Sequence, residues 1–158
     1  MTRQSDRLEA QMSPDSMRRF DRSLPMALLR AREAVMKKFL PSLKAHDLTA
    51  QQWRVIRALE EEDGLDASEI AERTFLLMPS LSRILQHLQR RGLVDRQVCE
   101  TDQRRAILSL TPVGKKLFAT IAPYSEERYA FITERFGYGK LELLYELLDE
   151  LVEKLETE

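Results

Sequence analysis

The stretch "TDQRRAILSLTPVG", residues 101–114, changes its structural period twice within a few positions. It opens on a crowded cluster of acid and base, Asp102 with Arg104 and Arg105. The alternating run Ala106-Ile107-Leu108-Ser109-Leu110 follows and reads as a short strand. Thr111-Pro112 then opens a helix, with threonine suited to the cap and proline to the first turn. Upstream, "LVDRQVC" (93–99) also alternates, so the two runs predict a hairpin with "ETDQR" as its tip. A tip stabilises a core least, so adjacent arginines there ask for a role outside the core.

Working outward, Ser23 is placed to cap a first long helix with Leu24, Leu28, Ala31, Val35 and Phe39 along one stripe. Pro41 is placed to kink it, and it ends near His46. Thr49 caps a second helix that packs Trp53, Ile56 and Leu59 and stops at Asp63-Gly64. Ser68 reads as the cap of a short third helix, "EIAERTF". A turn through Leu76-Leu77-Met78 leads to a fourth helix, "PSLSRILQHLQRR", with Pro79 in its first turn and Gly92 beyond its end. After the hairpin, Pro123 is placed to interrupt the long helix from Pro112, and "FGYG" (136–139) breaks the pattern. The last helix sets Leu141, Leu144, Leu148, Leu151 and Leu155 at alternating spacings of three and four, a coiled-coil-like seam.

This order predicts a mainly α fold with a small β-hairpin wing. Residues 48–111 would form a winged helix–turn–helix lobe, residues 23–47 and 112–158 a helical dimerisation region, and residues 1–22 a flexible N-terminal arm. The end helices carry apolar stripes, Leu24 and Leu28 on the first and Leu144, Leu148, Leu151 and Leu155 on the last, that a chain this small would bury against a second copy.

Composition sets the class. The chain has 158 residues, 43% hydrophobic and 32% charged, which suits one domain or two small lobes in solution. No apolar run approaches the ~20 residues of a membrane span, and the first residues lack the apolar segment of a secretory signal. The single cysteine, Cys99, allows no disulfide within a chain, and a cytoplasmic location is expected. Two dispersed histidines and one cysteine make no zinc set, and five glycines form no phosphate loop. Without a nucleophile–base pairing either, neither an enzyme nor a cofactor or metal is expected.

The net charge of −1 is uninformative, but its distribution is not. Between Pro79 and Arg105 lie Arg83, Arg90, Arg91, Arg96, Arg104 and Arg105 against Asp95, Glu100 and Asp102, whereas the last helix is strongly acidic. A neutral protein with charge segregated in this way can present a DNA-facing surface. Taking 100° per residue along the fourth helix, Leu81, Ile84, Leu85 and Leu88 share one arc, the core side. The opposite face carries Pro79, Ser82, Arg83, Gln86 and Arg90, with Ser80 and His87 at its edges. Such side chains hydrogen-bond to bases and phosphates, and the N-terminal end of a recognition helix enters the major groove. Taken alone, such a face is more often a plain solvated helix exterior. The short helix before it and the basic hairpin after it favour DNA, because a wing can push a guanidinium into the minor groove. An Asp102–Arg104 ion pair would aim that side chain; the plainer alternative is a tip ion pair without a role.

These motifs resemble the MarR family of winged helix–turn–helix regulators. The resemblance covers roughly residues 24–155 and rests on "LTAQQWRVIRALEE", "SEIAERTFLLMPSLSRILQHLQRRGLV" and "TDQRRAILSLTPVGKKL". "RSLPMALLRAREAVMKKFLP" with "LTAQQWRVIRAL" is similar to the branch that regulates homoprotocatechuate degradation. It implies a cytoplasmic homodimer on a palindromic double-stranded DNA operator, a repressor released by a small aromatic acid effector. The DNA-contacting set would be Ser68, Pro79, Ser80, Ser82, Arg83, Gln86 and Arg90 with Gln103, Arg104 and Arg105 in the wing. For the effector, Trp53 is a candidate wall, although such a tryptophan is more often core. Arg30, one turn after Met26, is a candidate carboxylate clamp, the alternative being a surface or interface ion pair. Ser23 and, from the partner subunit, His46 are further candidate donors. Cys99 is read as an inert thiol at a strand end. A rival reading from another class is a winged-helix protein–protein module that binds no DNA.

Overall fold

The computed structural model describes residues 17–102 and 104–157. The chain divides into two compact units, Met1–Lys37 and Lys38–Glu158. Residues 1–16 of the expected arm lie outside the described residues; Phe20–Arg22 forms a short 3-10 turn. Helix α1 spans Leu24–Ala45, and the Ser23 carbonyl accepts the N–H of Ala27. Then come α2 (Ala50–Glu61), α3 (Ala67–Thr74), α4 (Met78–Arg90), β1 (Val94–Val98), β2 (Ala106–Leu110), α5 (Pro112–Phe136) and α6 (Tyr138–Glu156). The predicted class is the observed one, and the expected interruption at Pro123 does not occur: Pro123, like Pro41, lies inside a continuous helix.

Local chemistry sets the boundaries. Thr49 caps α2 in a reciprocal box, its hydroxyl accepting the Gln52 N–H at 3.1 Å while Gln52 Oε1 accepts the Thr49 N–H at 3.0 Å. Ser68 does not cap α3. Asp66 does, its Oδ1 accepting the Glu69 N–H at 2.8 Å while Glu69 Oε2 accepts the Asp66 N–H at 2.8 Å. A carboxylate there satisfies an orphan donor and also complements the helix dipole. Thr111 caps α5, accepting the Gly114 N–H at 3.0 Å. Gly137, at φ 105°, separates α5 from α6 within the expected "FGYG" break.

The core lies in the lobe built from α2 to β2. Ile56, Leu59, Leu65, Ile70, Leu81 and Leu88 are fully buried there, each stabilising by about 1.5–3 kcal/mol. Strands β1 and β2 pair antiparallel, from Val94 opposite Leu110 to Val98 opposite Ala106. A third strand contribution is a single residue: Leu65 exchanges both backbone hydrogen bonds with Leu108, at 3.1 and 2.8 Å. This bridge ties the segment before α3 to the root of the wing. In α6 no residue is buried. Leu144 and Leu155 are exposed and Leu148 and Leu151 half-buried, and Leu24 and Leu28 on α1 are exposed.

Candidate nucleic-acid interface and effector crevice

Helix α4 has the two faces its periodicity requires. Leu81, Leu85 and Leu88 are buried and Ile84 is half-buried, whereas Pro79, Ser80, Ser82, Arg83, Gln86 and Arg90 are exposed. The helix starts with Pro79 in its first turn, and no side chain caps its first N–H groups. The N-terminal end of α4 therefore offers backbone donors and hydroxyls next to one another.

Between α4 and the wing runs a groove of about 480 Å³. Ser68, Ser82, Gln86, Arg96 and Arg104 are among its lining residues. Part of the expected set on α3, on α4 and in the wing, with Arg105 included, thus shares one concave surface, whereas Pro79, Ser80, Arg83 and Arg90 are exposed but do not line it. Arg96 belongs to it although sequence reasoning did not single it out. Its signal was the strand register, which places Arg96 opposite Leu108, another residue of the groove. Gln103 lies outside the described residues.

The wing tip departs from expectation in its ion pairs. Asp102 does not aim the Arg104 side chain; Asp102 Oδ1 accepts the Arg104 backbone N–H at 3.0 Å, a turn contact. Arg104 is exposed. The guanidinium that is held is that of Arg105, whose Nε donates to Asp66 Oδ2 at 3.0 Å and whose Nη2 lies 3.7 Å from Glu69 Oε1. The backbone N–H of Glu69 holds the Asp66 carboxyl below its ordinary pKa; burial opposes this, and the charge and hydrogen bond of Arg105 lower it further. Cys99, half-buried, has Sγ 3.1 Å from Thr101 Oγ1. That hydroxyl, then the backbone N–H groups of Thr101 and Asp102, keep the thiol below its usual value.

Trp53 is 8% exposed and stacks on Phe118 at 5.4 Å. It also walls a narrow crevice with Phe39, Ser42, Tyr124, Ser125 and Arg128. Its free volume is about 10 Å³, room for about one water. Ser42 Oγ is buried without a hydrogen-bond partner among the described residues. His46 is not among the lining residues of the crevice but touches two of them, with Nδ1 2.8 Å from the Ser42 carbonyl and its ring 6.4 Å from Tyr124. Arg57, one turn after Trp53, donates to Tyr129 Oη at 3.1 Å, and Tyr129 packs on Phe39 at 4.9 Å. Sequence reasoning missed Arg57 and Arg128; the spacing of four between Trp53 and Arg57 was the available signal. Ser23, Met26 and Arg30 lie in the N-terminal unit, where Ser23 and Met26 are half-buried and Arg30 is exposed.

With this geometry in place, comparison with known proteins is decisive for the family. The MarR family model matches residues 46–105. The homoprotocatechuate degradative operon repressor of Escherichia coli is 42% identical over 130 residues, 82% of this chain and 88% of the repressor. The chain belongs to the MarR family. It is a transcriptional regulator of the winged helix–turn–helix type. Among solved structures, NadR in complex with 4-hydroxyphenylacetate is 40% identical with a TM-score of 0.75, covering 90% of this chain and 99% of NadR. The repressor CouR bound to a 23-mer DNA duplex is 28% identical with a TM-score of 0.77, covering 87% of this chain and 99% of CouR. Among the described residues, no helix of this MarR-family chain is long and apolar enough to cross a membrane.

Proposed function

We propose that this MarR-family chain is a cytoplasmic homodimeric repressor of an operon for aromatic-compound breakdown. It binds a palindromic double-stranded operator and leaves it when a small phenolic or arylacetic acid binds. The observation that carries the DNA-binding part is the groove that joins the polar face of α4 to Arg96 and Arg104 of the wing. Ser80, Ser82, Arg83 and Gln86 would read base edges in the major groove, and Arg104 would enter the minor groove beside it. Dimerisation is supported by α6, which buries no residue in the single chain and carries Leu144, Leu148, Leu151 and Leu155. A dimer would place two copies of α4 about 34 Å apart, one turn of duplex.

The DNA reading is tested by fluorescence anisotropy on a duplex selected from a random pool by the wild-type protein. Affinity falls steeply as salt rises, and Arg104→Ala costs at least ~1 kcal/mol while leaving the oligomeric state unchanged. Salt-independent binding would place the chain with protein-binding winged helices instead, and wild-type affinity for the variant would reduce the wing tip to a surface ion pair.

For the effector, a one-ring aromatic anion needs an apolar wall and a fixed cation, since desolvating an unpaired carboxylate is costly. Trp53 is the candidate wall and Arg30 the candidate clamp, and Ser23, Met26 and, from the partner subunit, His46 are further candidate contacts. A second reading places Arg57 in that role, favoured by its position one turn from Trp53 and its hydrogen bond to Tyr129. The crevice holds about one water, so the ligand has to open it, and the opening is the coupling to α4 that induction needs. Calorimetry of 4-hydroxyphenylacetate into wild type, Arg30→Ala and Arg57→Ala separates the clamps, because only the true one loses affinity. Operator DNA must lower ligand affinity by the factor with which ligand lowers DNA affinity.

A further inference from the structure

We propose that Arg105 is a positioning residue that locks the wing to the start of α3, leaving Arg104 to be presented to DNA. This rests on the DNA-binding reading above and reassigns one residue within it.

The lock is built from parts already held in place. Asp66 and Glu69 each use one carboxylate oxygen in the α3 capping box and turn the other towards Arg105. Neither acid can swing away without giving up its cap bond, so the guanidinium meets a preorganised acceptor pair. The Asp66 side chain is only 21% exposed, which limits solvent screening on that side. The Leu65–Leu108 bridge joins the same two segments through the backbone, three residues further along β2. A single tie at Leu108 would leave the wing a hinge. A second tie at Arg105 fixes its angle. Beyond Val98–Ala106 the hairpin adds the Cys99 N–H to Arg105 carbonyl bond at 2.8 Å, so the locked residue also sits where the tip begins.

The same contacts disqualify Arg105 as a phosphate ligand. Its positive charge already faces two carboxylates, and turning it to a phosphate would strand both. The opposite assignment, Arg105 on DNA, makes the opposite prediction when those acids are removed.

The test is the double variant Asp66→Ser with Glu69→Gln. It rebuilds the box as Ser-x-x-Gln, which caps a helix as well as the original does, but carries no charge for Arg105. A thermal melt verifies the fold, and Arg105→Ala, which leaves the cap untouched, gives an independent route to the same loss. If Arg105 positions the wing, both variants bind the selected duplex about five- to tenfold more weakly. Both keep the wild-type slope of log affinity against log salt, whereas Arg104→Ala lowers it by about one contact. Arg105→Lys, with a charge but no fork, recovers part of the loss. If Arg105 instead touches DNA, removing two acids frees it and tightens binding, and Arg105→Ala lowers the salt slope. Either result, or wild-type affinity in the double variant, overturns the lock. Should the wild-type protein bind no duplex, the DNA reading fails. The lock is then decided by hydrogen exchange of wing amides, which must quicken in the double variant; unchanged exchange overturns it.

Discussion

Replacing Gly114 by alanine probes the junction that makes the opening stretch a wing followed by a helix. A Cβ at this position would lie 2.2 Å from the Leu93 carbonyl oxygen, 3.1 Å from its carbon and 3.3 Å from Leu110 Cδ2. The obstacle is backbone that cannot yield cheaply. The Leu93 carbonyl accepts the Thr111 N–H at 3.0 Å, and the Thr111 hydroxyl donates to the Gly92 carbonyl at 2.6 Å while accepting the Gly114 N–H. Relieving the clash takes a shift of about 1 Å between the end of α4 and the start of α5. Overpacking of this kind costs ~1–3 kcal/mol, and the strained Thr111–Leu93 bond adds ~1 kcal/mol. Alanine returns ~1 kcal/mol of helix propensity. The expected net loss is ~1–3 kcal/mol, which for a chain of this length lowers the melting midpoint by roughly 2–12 °C. Calorimetry and urea unfolding at matched protein concentration measure it, with the urea m-value unchanged. A midpoint equal to wild type would show that the two elements separate freely, and the argument from close approach would be wrong.

Three further outcomes follow from other parts of the molecule. Leu148→Glu combined with Leu151→Glu converts a micromolar dimer to monomer in light scattering; a persisting dimer would move the interface off α6. Phe75→Gly raises the melting midpoint by about 2 °C, or ~0.5–1 kcal/mol, because Phe75 stands at φ 55° and is 86% exposed, so a residue free of left-handed strain loses little packing. A lower midpoint would reveal a packing role for that ring. Asp66→Asn keeps the cap and removes the charge, so its stability deficit should depend on pH. The native pKa of Asp66 lies below its ordinary 3.8, so the charged form's contribution is complete above that value and vanishes as pH falls through the native one. Urea midpoints for the pair should converge in that acid range, and a gap indifferent to pH would exclude Asp66 as its source.

Much of the candidate DNA surface was legible because it depends on short-range geometry. The burial of Leu81, Leu85 and Leu88 against the exposure of Ser82, Arg83 and Gln86 follows from a period of 3.6 residues, which every amphipathic helix repeats. Thr49 and Thr111 were readable as caps, since a cap is decided within four residues. The start of α3 was misjudged between Ser68 and Asp66, two good cap residues only two apart. The pairing of Asp66 with Glu69 at the capping-box spacing was the overlooked signal.

What the sequence determined by itself is therefore the order of helices and strands, the polar face of α4, the hairpin with its arginine tip, and the family that this order identifies. Tertiary structure alone decided which tip arginine is paired with the α3 cap. Arg105 and Asp66 are 39 positions apart, and no periodicity links them. Arg104 and Arg105 are identical in type and adjacent, so their different environments arise only when Leu65 pairs with Leu108 and brings the α3 cap beneath one of them. The same holds at Trp53, where Phe118 arrives from α5 to stack on the indole and Tyr124 to line the crevice. Periodicities and caps are enforced by sterics and hydrogen bonds within a turn or two of chain. Ion pairs and crevices between distant segments exist only after the core has set those segments side by side.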